Sequence, residues 1–270
     1  MILSSKITEI FCSIDDFCQE FLPAWNHHLL ASGKSRIKPA RLYSSEVMTI
    51  QVLFHLSGIR TFKKFYNDYV CKQLRDLLPG LVSYNRFTEL SGQMIAPLAI
   101  YLKTRATGNC TGISFINSTP LRVCHNRRIH SHKVFDGLAA RGQCSILCSP
   151  PAIPMTANLY KWKALSTSYL ANSTGIKDTS PKELEGLFHQ GIHLVTKLLK
   201  NMKTKLVTPL ADAIMLRKRA ICETIIDQLK NIFQIEHSRH WSPKNFLTNL
   251  FSALIAYNFT EKNPVSKPHS

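Results

Sequence analysis

Acidic residues are scarce in this chain of 270 residues, which has 17 aspartates and glutamates against 34 lysines and arginines and a net charge of +17. This imbalance favours a polyanionic partner, with nucleic acid as the first candidate and an anionic membrane surface as the second. Long apolar runs are lacking too, because no stretch approaches the roughly 20 residues of a membrane span. The first residues lack a basic region followed by an apolar core, so we expect no signal peptide. We expect DNA, and no membrane, as the partner.

Cysteine pairs with metal-binding or redox spacing are also absent. The eight cysteines are scattered along the chain, and none forms a Cys-x-x-Cys pair. This usage predicts reduced thiols in a cytoplasmic protein. Hydrophobic residues make up 44% of the chain, which is enough for a sizeable core and excludes global disorder.

Residues 1–105 are predicted to be mostly helical. Apolar side chains recur with a helical period over 6–22, and Ser44-Ser45-Glu46 can cap a helix that Gly58 ends. Further helices are predicted over 60–78 and from Tyr84 to about residue 104. The basic residues interleaved with the aromatic ones at 60–70 suit a DNA-binding region. An ordinary amphipathic bundle with a solvated face explains the same pattern equally well.

The second half of the chain mixes strand and helix patterns. Short apolar runs predict strands at 112–117 and 191–198, and helical periods predict helices at about 210–233 and 243–259. The last of these helices is strongly apolar, so we expect it to pack against the core. Residues 146–180 contain several prolines and serines without a sustained period, and they predict neither helix nor strand.

Asn117 is predicted to end the first strand. A polar side chain there would sit at the rim of a sheet, where α/β folds place their chemistry. A carboxylate at that position could hold a metal ion, whereas an amide is uncharged and a weak ligand for a hard divalent cation.

A basic cluster follows this strand. Arg122, Arg127, Arg128 and Lys133 are interspersed with histidines, which favours phosphate binding. A zinc site is the alternative, although the spacing of its potential ligands fits no standard zinc finger. Those ligands would be Cys124, His125, His130 and His132.

Three residues of the predicted helix at 210–233 share one face. Arg219, Glu223 and Lys230 lie at i, i+4 and i+11. A surface ion pair with a neighbouring lysine is a sufficient explanation of this spacing, and a catalytic carboxylate flanked by phosphate-binding cations is the functional one.

Three strings together resemble bacterial insertion-sequence transposases with an Asp-Asp-Glu (DDE) domain, most nearly insertion-sequence family nine-eighty-two. They are 115–128 (FINSTPLRVCHNRR), 133–142 (KVFDGLAARG) and 217–230 (RKRAICETIIDQLK) followed by 235–240 (IEHSRH). Residues 54–58 (FHLSG) and 83–87 (SYNRF) resemble the same family. The resemblance covers about residues 1–145 and 181–262.

The resemblance implies an α/β (α+β) chain. A helical DNA-binding region at 1–108 would precede a ribonuclease-H-like DDE domain at 109–262, which looks truncated and frame-disrupted in its middle, and a tail at 263–270. The resemblance also implies metal-dependent cleavage and strand transfer of DNA, with transposon ends and target DNA as partners. It further implies a homo-oligomer as one possible assembly and a cytoplasmic location at the bacterial nucleoid. Three carboxylates would hold two Mg²⁺ ions, one activating the nucleophile and the other stabilising the leaving oxygen.

This chain departs from the family pattern at two of those carboxylates. Glu223 matches the third, with Arg219 and Lys230 as its flanking cations, and Arg239 is grouped with the DNA-binding residues. Asn117 stands where the family has its first aspartate. The Gly-Asp-Lys-Gly-Tyr-Ile motif that carries the second aspartate does not occur. The resemblance therefore implies transposase ancestry without catalytic competence, and a non-catalytic basic DNA-binding protein is the alternative.

A shifted reading frame would explain the missing motif. Codons for Gly-Asp-Lys-Gly-Tyr-Ile read one base later can give Gly-Ile-Lys-Asp-Thr-Ser, the string at 175–180. A family-like string read in the same frame can give 152–160. We therefore expect that about 146–180 is out-of-frame translation, so that Asp178 is not the family's aspartate.

Overall fold

Helices dominate the computed structural model, which describes residues 2–31, 41–106, 115–119, 121–128, 131, 133–135, 144–148, 210, 214, 217, 220–236 and 242–260. The elements in chain order are α1 (Ser4–Ala31), α2 (Ser44–Leu56), α3 (Phe62–Lys64), a π-helical stretch (Phe65–Val70), α4 (Cys71–Gln73), α5 (Tyr84–Gln93), α6 (Ile95–Thr104), β1 (Phe115–Thr119), β2 (Cys144–Cys148), α7 (Ala220–Asn231) and α8 (Pro243–Asn258). Short 3-10 helices span Asn126–Arg128 and Lys133–Phe135. The strand predicted at 191–198 lies outside the described residues.

The helical prediction for the first part of the chain is confirmed, with two differences in detail. The first helix runs on through Pro23 to Ala31. The helix predicted from Tyr84 to about residue 104 is two helices that meet at Met94. Pro97 explains the break, because it has no N–H to donate to the carbonyl of Gln93, four residues earlier.

The ends of α2 follow the predicted signals. The Glu46 carboxylate accepts a hydrogen bond of 2.7 Å from the backbone N–H of Tyr43 and so satisfies a donor at the start of the helix. Gly58, just beyond the end of α2, has a φ of 70°, the left-handed conformation in which glycine carries little penalty. Nearly all of α2 is buried, from Ser45 to His55.

The C-terminal helix α8 is part of the core that the N-terminal helices build. It contacts α2, α5 and α6 as well as α7. Ala253, Ile255 and Ala256 are fully buried on it, and Tyr257 is 2% exposed. The expectation that this apolar helix packs against the core is therefore confirmed.

An aromatic cluster fills the space between α2, the π-helical stretch and α5. Ring centroids lie 5.4 Å apart for Phe62 and Phe87 and 4.8 Å apart for Tyr66 and Phe87. The Tyr66 hydroxyl donates a hydrogen bond of 2.6 Å to the carbonyl of Val82, which satisfies the polar end of a buried ring. Burial of these rings leaves the basic side chains at 60–64 on the exposed side of the same segment.

The two strands form an antiparallel pair in which Asn117 lies opposite Ile146. The prediction that the strand ends at Asn117 is wrong, because β1 continues to Thr119 and Asn117 is its central residue. The reason is that Ser118 and Thr119 find backbone partners in Ser145 and Cys144. The sequence pattern did not reveal β2. A ribonuclease-H-like α/β sheet would need more strands than this pair, so that fold remains a prediction.

We expect the stability of the core to fall at alkaline pH. Burial, with a smaller contribution from Asp15, raises the pKa of the Cys18 thiol from 9.0 to about 12. Burial and the neighbouring Cys71 raise the pKa of Tyr66 from 10.0 to about 12, against the lowering effect of its hydrogen bond to Val82. Both groups stay protonated in the folded protein above the pH at which the unfolded chain loses those protons. Their contribution is thus complete below about pH 9 and is lost as the pH rises towards 12.

Urea unfolding at pH 8 and pH 11 measures this effect. The free energy of unfolding should be lower at pH 11, and Cys18→Ala should reduce the difference between the two values. Cys12→Ala, at an exposed thiol, is the control and should leave the difference unchanged. Equal free energies at the two pH values would contradict the assignment.

Candidate functional site

The helix that carries Glu223 packs against the strand that carries Asn117. α7 contacts β1, and its inner face contributes Cys222, Ile225 and Leu229 to the core at 1% exposure or less. Glu223 lies on the exposed side of α7. The fold therefore brings together two elements that are about a hundred residues apart in sequence.

Among the described residues, no hydrogen bond or ion pair engages the Glu223 side chain. A carboxylate that is exposed and uncommitted is accessible to a ligand.

The basic segment, which we define as residues 121–135, follows β1 directly. Its four cationic side chains are all exposed, and no described acidic side chain forms a salt bridge with any of them. They are Arg122, Arg127, Arg128 and Lys133. The segment is anchored by Phe135, which is 6% exposed and meets the ring of Phe246 of α8 edge to face at 5.5 Å. The arrangement holds several uncompensated positive charges on one anchored stretch of chain.

Several cations of the N-terminal helices are neutralised, in contrast to those of the basic segment. Lys72 pairs with Asp68 at 2.9 Å, Arg86 pairs with Glu89 at 2.6 Å, and Arg105 pairs with Glu20 at 2.6 Å. Exposed pairs of this kind contribute little to stability, but they reduce the local positive potential. Arg60, Lys63 and Lys64 have no salt-bridge partner among the described residues, and the Lys63 ammonium lies 6.0 Å from the centroid of the Tyr84 ring.

The alternative zinc site remains a prediction, because the structure describes only part of its ligand set. The Nδ1 atom of His125 accepts a hydrogen bond of 3.3 Å from the backbone N–H of Arg127. His130 and His132 lie outside the described residues. Within the described ranges, no three His, Cys, Asp or Glu side chains are grouped so that they could hold a metal ion.

Glu236 is a site residue that the sequence pattern did not reveal. Its Oε1 atom lies 3.1 Å from the ammonium of Lys230 and accepts a hydrogen bond of 3.3 Å from the backbone N–H of Arg122. A spacing of six residues is not a contact spacing in a helix, so no periodicity argument could pair Glu236 with Lys230. The chain leaves α7 and turns at Gln234, which has a φ of 54°, and this turn brings Glu236 back beside the helix.

The remaining predicted residues are only partly located. Lys230, predicted as a DNA contact on the face of Glu223, is paired with Glu236, and its contact with DNA remains a prediction. Arg219, Arg239 and Asp178 lie outside the described residues.

Comparison with known families identifies the part of the chain that contains these elements. Residues 107–147 and 163–243 match the family model described as Transposase DDE domain. No curated protein and no solved structure matches the chain. The family match supports a transposase with a DDE domain, and DNA is the partner that such a domain implies. The matched residues include both Asn117 and Glu223.

The family match also bears on the hypothesis of a shifted reading frame. It omits 148–162 and resumes at 163, within the segment predicted to be out of frame, so that hypothesis remains a prediction. No helix of the described residues is long and apolar enough to cross a membrane.

Among the described residues, the donors that the resemblance assigns to the site do not fit a pair of Mg²⁺ ions, although DDE transposases in general use a divalent metal. Two hard cations need several negative oxygens close together. Of those donors, β1 carries the neutral Asn117 and α7 carries Glu223; the other carboxylate of α7, that of Asp227, accepts a hydrogen bond from the side chain of Asn231. In the resemblance, Asn117 stands at the position of the first aspartate, so β1 would contribute no negative charge there.

Proposed function

We propose that this chain is an insertion-sequence DNA transposase, allied to family nine-eighty-two, that has lost metal-dependent cleavage and strand transfer. The observation that carries the proposal is the contact between β1 and α7 within the matched DDE domain. This contact brings the position of the first carboxylate to the helix of the last one, and an amide stands at the first position. The loss of charge at Asn117 accounts for the predicted inactivity.

The residues that remain are suited to binding DNA without cutting it. The exposed cations of the basic segment would contact phosphates and release counterions, which provides affinity without base recognition. Glu223 would lie beside the bound backbone without the family's first aspartate to share a metal. We propose a ribonuclease-H-like fold for the DDE domain, nucleoid localisation, and a homo-oligomer on transposon ends as the ancestral assembly.

A non-catalytic DNA-binding protein is the second candidate function. The uncompensated cations at Arg60, Lys63 and Lys64 favour it, because they provide a second basic surface on the N-terminal helices. Such a protein would compete for transposon ends.

The salt dependence of DNA binding tests the role of the basic segment. We expect the chain to bind duplex DNA with log Kd rising linearly with log salt concentration. Replacing Arg127 and Arg128 by glutamine should lower that slope by about 2, since each phosphate contact contributes about 0.9. The slope is measured by fluorescence anisotropy of a labelled duplex at salt concentrations from about 50 to about 300 mM.

Arg86→Gln is the matched control for this experiment. Arg86 is exposed like the two test residues, but its guanidinium is already paired with Glu89. We expect the slope to stay within error of the wild-type value. A slope that the double variant leaves unchanged would exclude the basic segment from the DNA interface.

A further inference from the structure

We infer that Glu236 is a positioning residue that holds the basic segment against α7. The inference rests on the proposed function, because it assigns a role in DNA binding to a residue that itself carries the charge DNA repels. One carboxylate oxygen of Glu236 makes two contacts, with the ammonium of Lys230 at 3.1 Å and with the backbone N–H of Arg122 at 3.3 Å. The three groups belong to different parts of the chain: the turn after α7, α7 itself, and the start of the basic segment.

The degree of burial distinguishes this ion pair from the others in the described residues. The side chains of Lys230 and Glu236 are 22% and 19% exposed, whereas those of Arg86 and Glu89 are 54% and 62% exposed. A partly buried pair is less screened by solvent, and removing one partner leaves a charge in a poorly solvated position. The Lys230–Glu236 pair therefore has more effect on local geometry than the surface pairs have.

The turn that presents Glu236 is itself held in place. Ile235 is 4% exposed in the core, and Phe233 is 3% exposed. The carbonyl of Phe233 contacts Nδ1 of the buried His55 at 2.8 Å. The side-chain amide of Gln234 donates to the carbonyl of Gly58 at 3.5 Å. Glu236 thus projects from a segment fixed to the N-terminal helices, and its carboxylate connects that fixed body to Arg122.

Glu236 therefore affects how the basic segment is placed relative to Glu223. Glu223 lies two turns before Lys230 on α7, and the four cations of the basic segment begin at Arg122. Holding the N–H of Arg122 beside Lys230 keeps the basic segment next to the helix that carries Glu223. Lys230 is then a support for the segment, and its charge is committed to Glu236.

A purely electrostatic role of Glu236 and a positioning role predict opposite changes in DNA affinity when the carboxylate is removed. Removing an anion from a DNA-binding surface should tighten binding if Glu236 acts only through its charge. If Glu236 positions the basic segment, Glu236→Ala should weaken binding of a labelled mixed-sequence duplex by about 5-fold, which corresponds to the loss of one hydrogen bond of average strength. Glu236→Gln keeps an oxygen for the N–H of Arg122 but loses the charge opposite Lys230, so its binding should fall between that of the wild type and Glu236→Ala.

Asp227→Asn is the matched control, because Asp227 is an exposed carboxylate on the same helix whose described partner is the side chain of Asn231. It changes the charge by the same amount and should not weaken binding. Lys230→Met tests the pair: the effects of Lys230→Met and Glu236→Gln should not add in the double variant. Thermal unfolding of each variant shows whether a loss of binding reflects a loss of folding.

Hydrogen exchange provides a readout that does not depend on DNA. The peptide spanning residues 121–128 should exchange faster in Glu236→Ala than in the wild type, with Glu236→Gln closer to the wild type. If the wild type itself does not bind the duplex, the proposed function fails, and the exchange rates alone decide whether Glu236 holds the segment. Unchanged exchange in Glu236→Ala, or tighter DNA binding by that variant, would overturn the inference.

Discussion

Removal of residues 243–260 is expected to unfold the helical region that precedes β1. α8 contacts α2, α5 and α6, and its inward face is buried to within 2% at Ala253, Ile255 and Tyr257. Without α8, the apolar faces of three helices would be exposed to water, at about 25 cal/mol for each Å². The whole free energy of unfolding of a domain is about 5–15 kcal/mol, so the loss of one face of the core is enough to abolish folding.

Hydrogen bonds give this packing its register as well as its strength. The hydroxyl of Thr248 donates to the carbonyl of Ser91 at 3.3 Å, and the hydroxyl of Ser252 donates to Oε1 of Gln51 at 3.4 Å. The amide of Gln51 donates in turn to the hydroxyl of Ser91. Removal of α8 would leave the carbonyl of Ser91 and Oε1 of the buried Gln51 without these donors, and an unpaired buried polar group costs roughly 1–3 kcal/mol. A fragment of residues 1–108 should therefore lack a cooperative unfolding transition by circular dichroism.

Two single substitutions on α8 separate the packing effect from simple truncation. Ile255→Ala removes a fully buried side chain and should lower the free energy of unfolding by about 2–5 kcal/mol. Leu247→Ala on the same helix removes a side chain that is 38% exposed and should have a clearly smaller effect. Equal effects of the two substitutions, or cooperative unfolding of the 1–108 fragment, would show that the N-terminal helices do not need α8.

Asn117→Asp alone is expected to leave the chain without DNA cleavage activity, whereas the same change with an in-frame segment in place of residues 149–180 should restore it. The first change supplies one carboxylate on β1 beside the helix of Glu223, and the second supplies the strand that would carry the remaining aspartate. Restoring one aspartate is insufficient, because a two-metal site needs all of its carboxylates close together. Loss of even a supporting residue around a metal costs 10–100-fold, so we expect the difference to exceed about 100-fold.

A magnesium-dependent cleavage assay on transposon-end duplex measures this effect. Glu223→Gln in the restored chain is the control and should abolish the recovered activity. Robust turnover by the unaltered chain would refute the proposed loss of catalysis. The nucleotide sequence is an independent check: if a one-base shift across the region restores no transposase-like peptide, the frame hypothesis fails.

Local patterns predicted the helices well because the signals for helices are themselves local. Glu46 and Gly58 lie at the ends of α2, and the apolar period of residues 243–259 corresponds to α8 within one residue. The sequence also contained the signal for the break at Met94, which is Pro97. Residues 144–148 did not predict β2, because a short strand is defined by its partner. In the antiparallel register that partner is 25 residues away at Thr119↔Cys144 and 33 residues away at Phe115↔Cys148.

The sequence by itself determined which residues carry the chemistry: one carboxylate at Glu223, an amide at Asn117 and a run of cations from Arg122 to Lys133. Their types and their order along the chain suffice for that, because charge and ligand strength are properties of single side chains. Only the tertiary structure decided that α7 lies against β1, that α8 completes the N-terminal core, and that Glu236 joins Lys230 to the backbone of Arg122. Those contacts depend on apolar burial and on a turn at Gln234, which bring together groups that no helical or strand period relates.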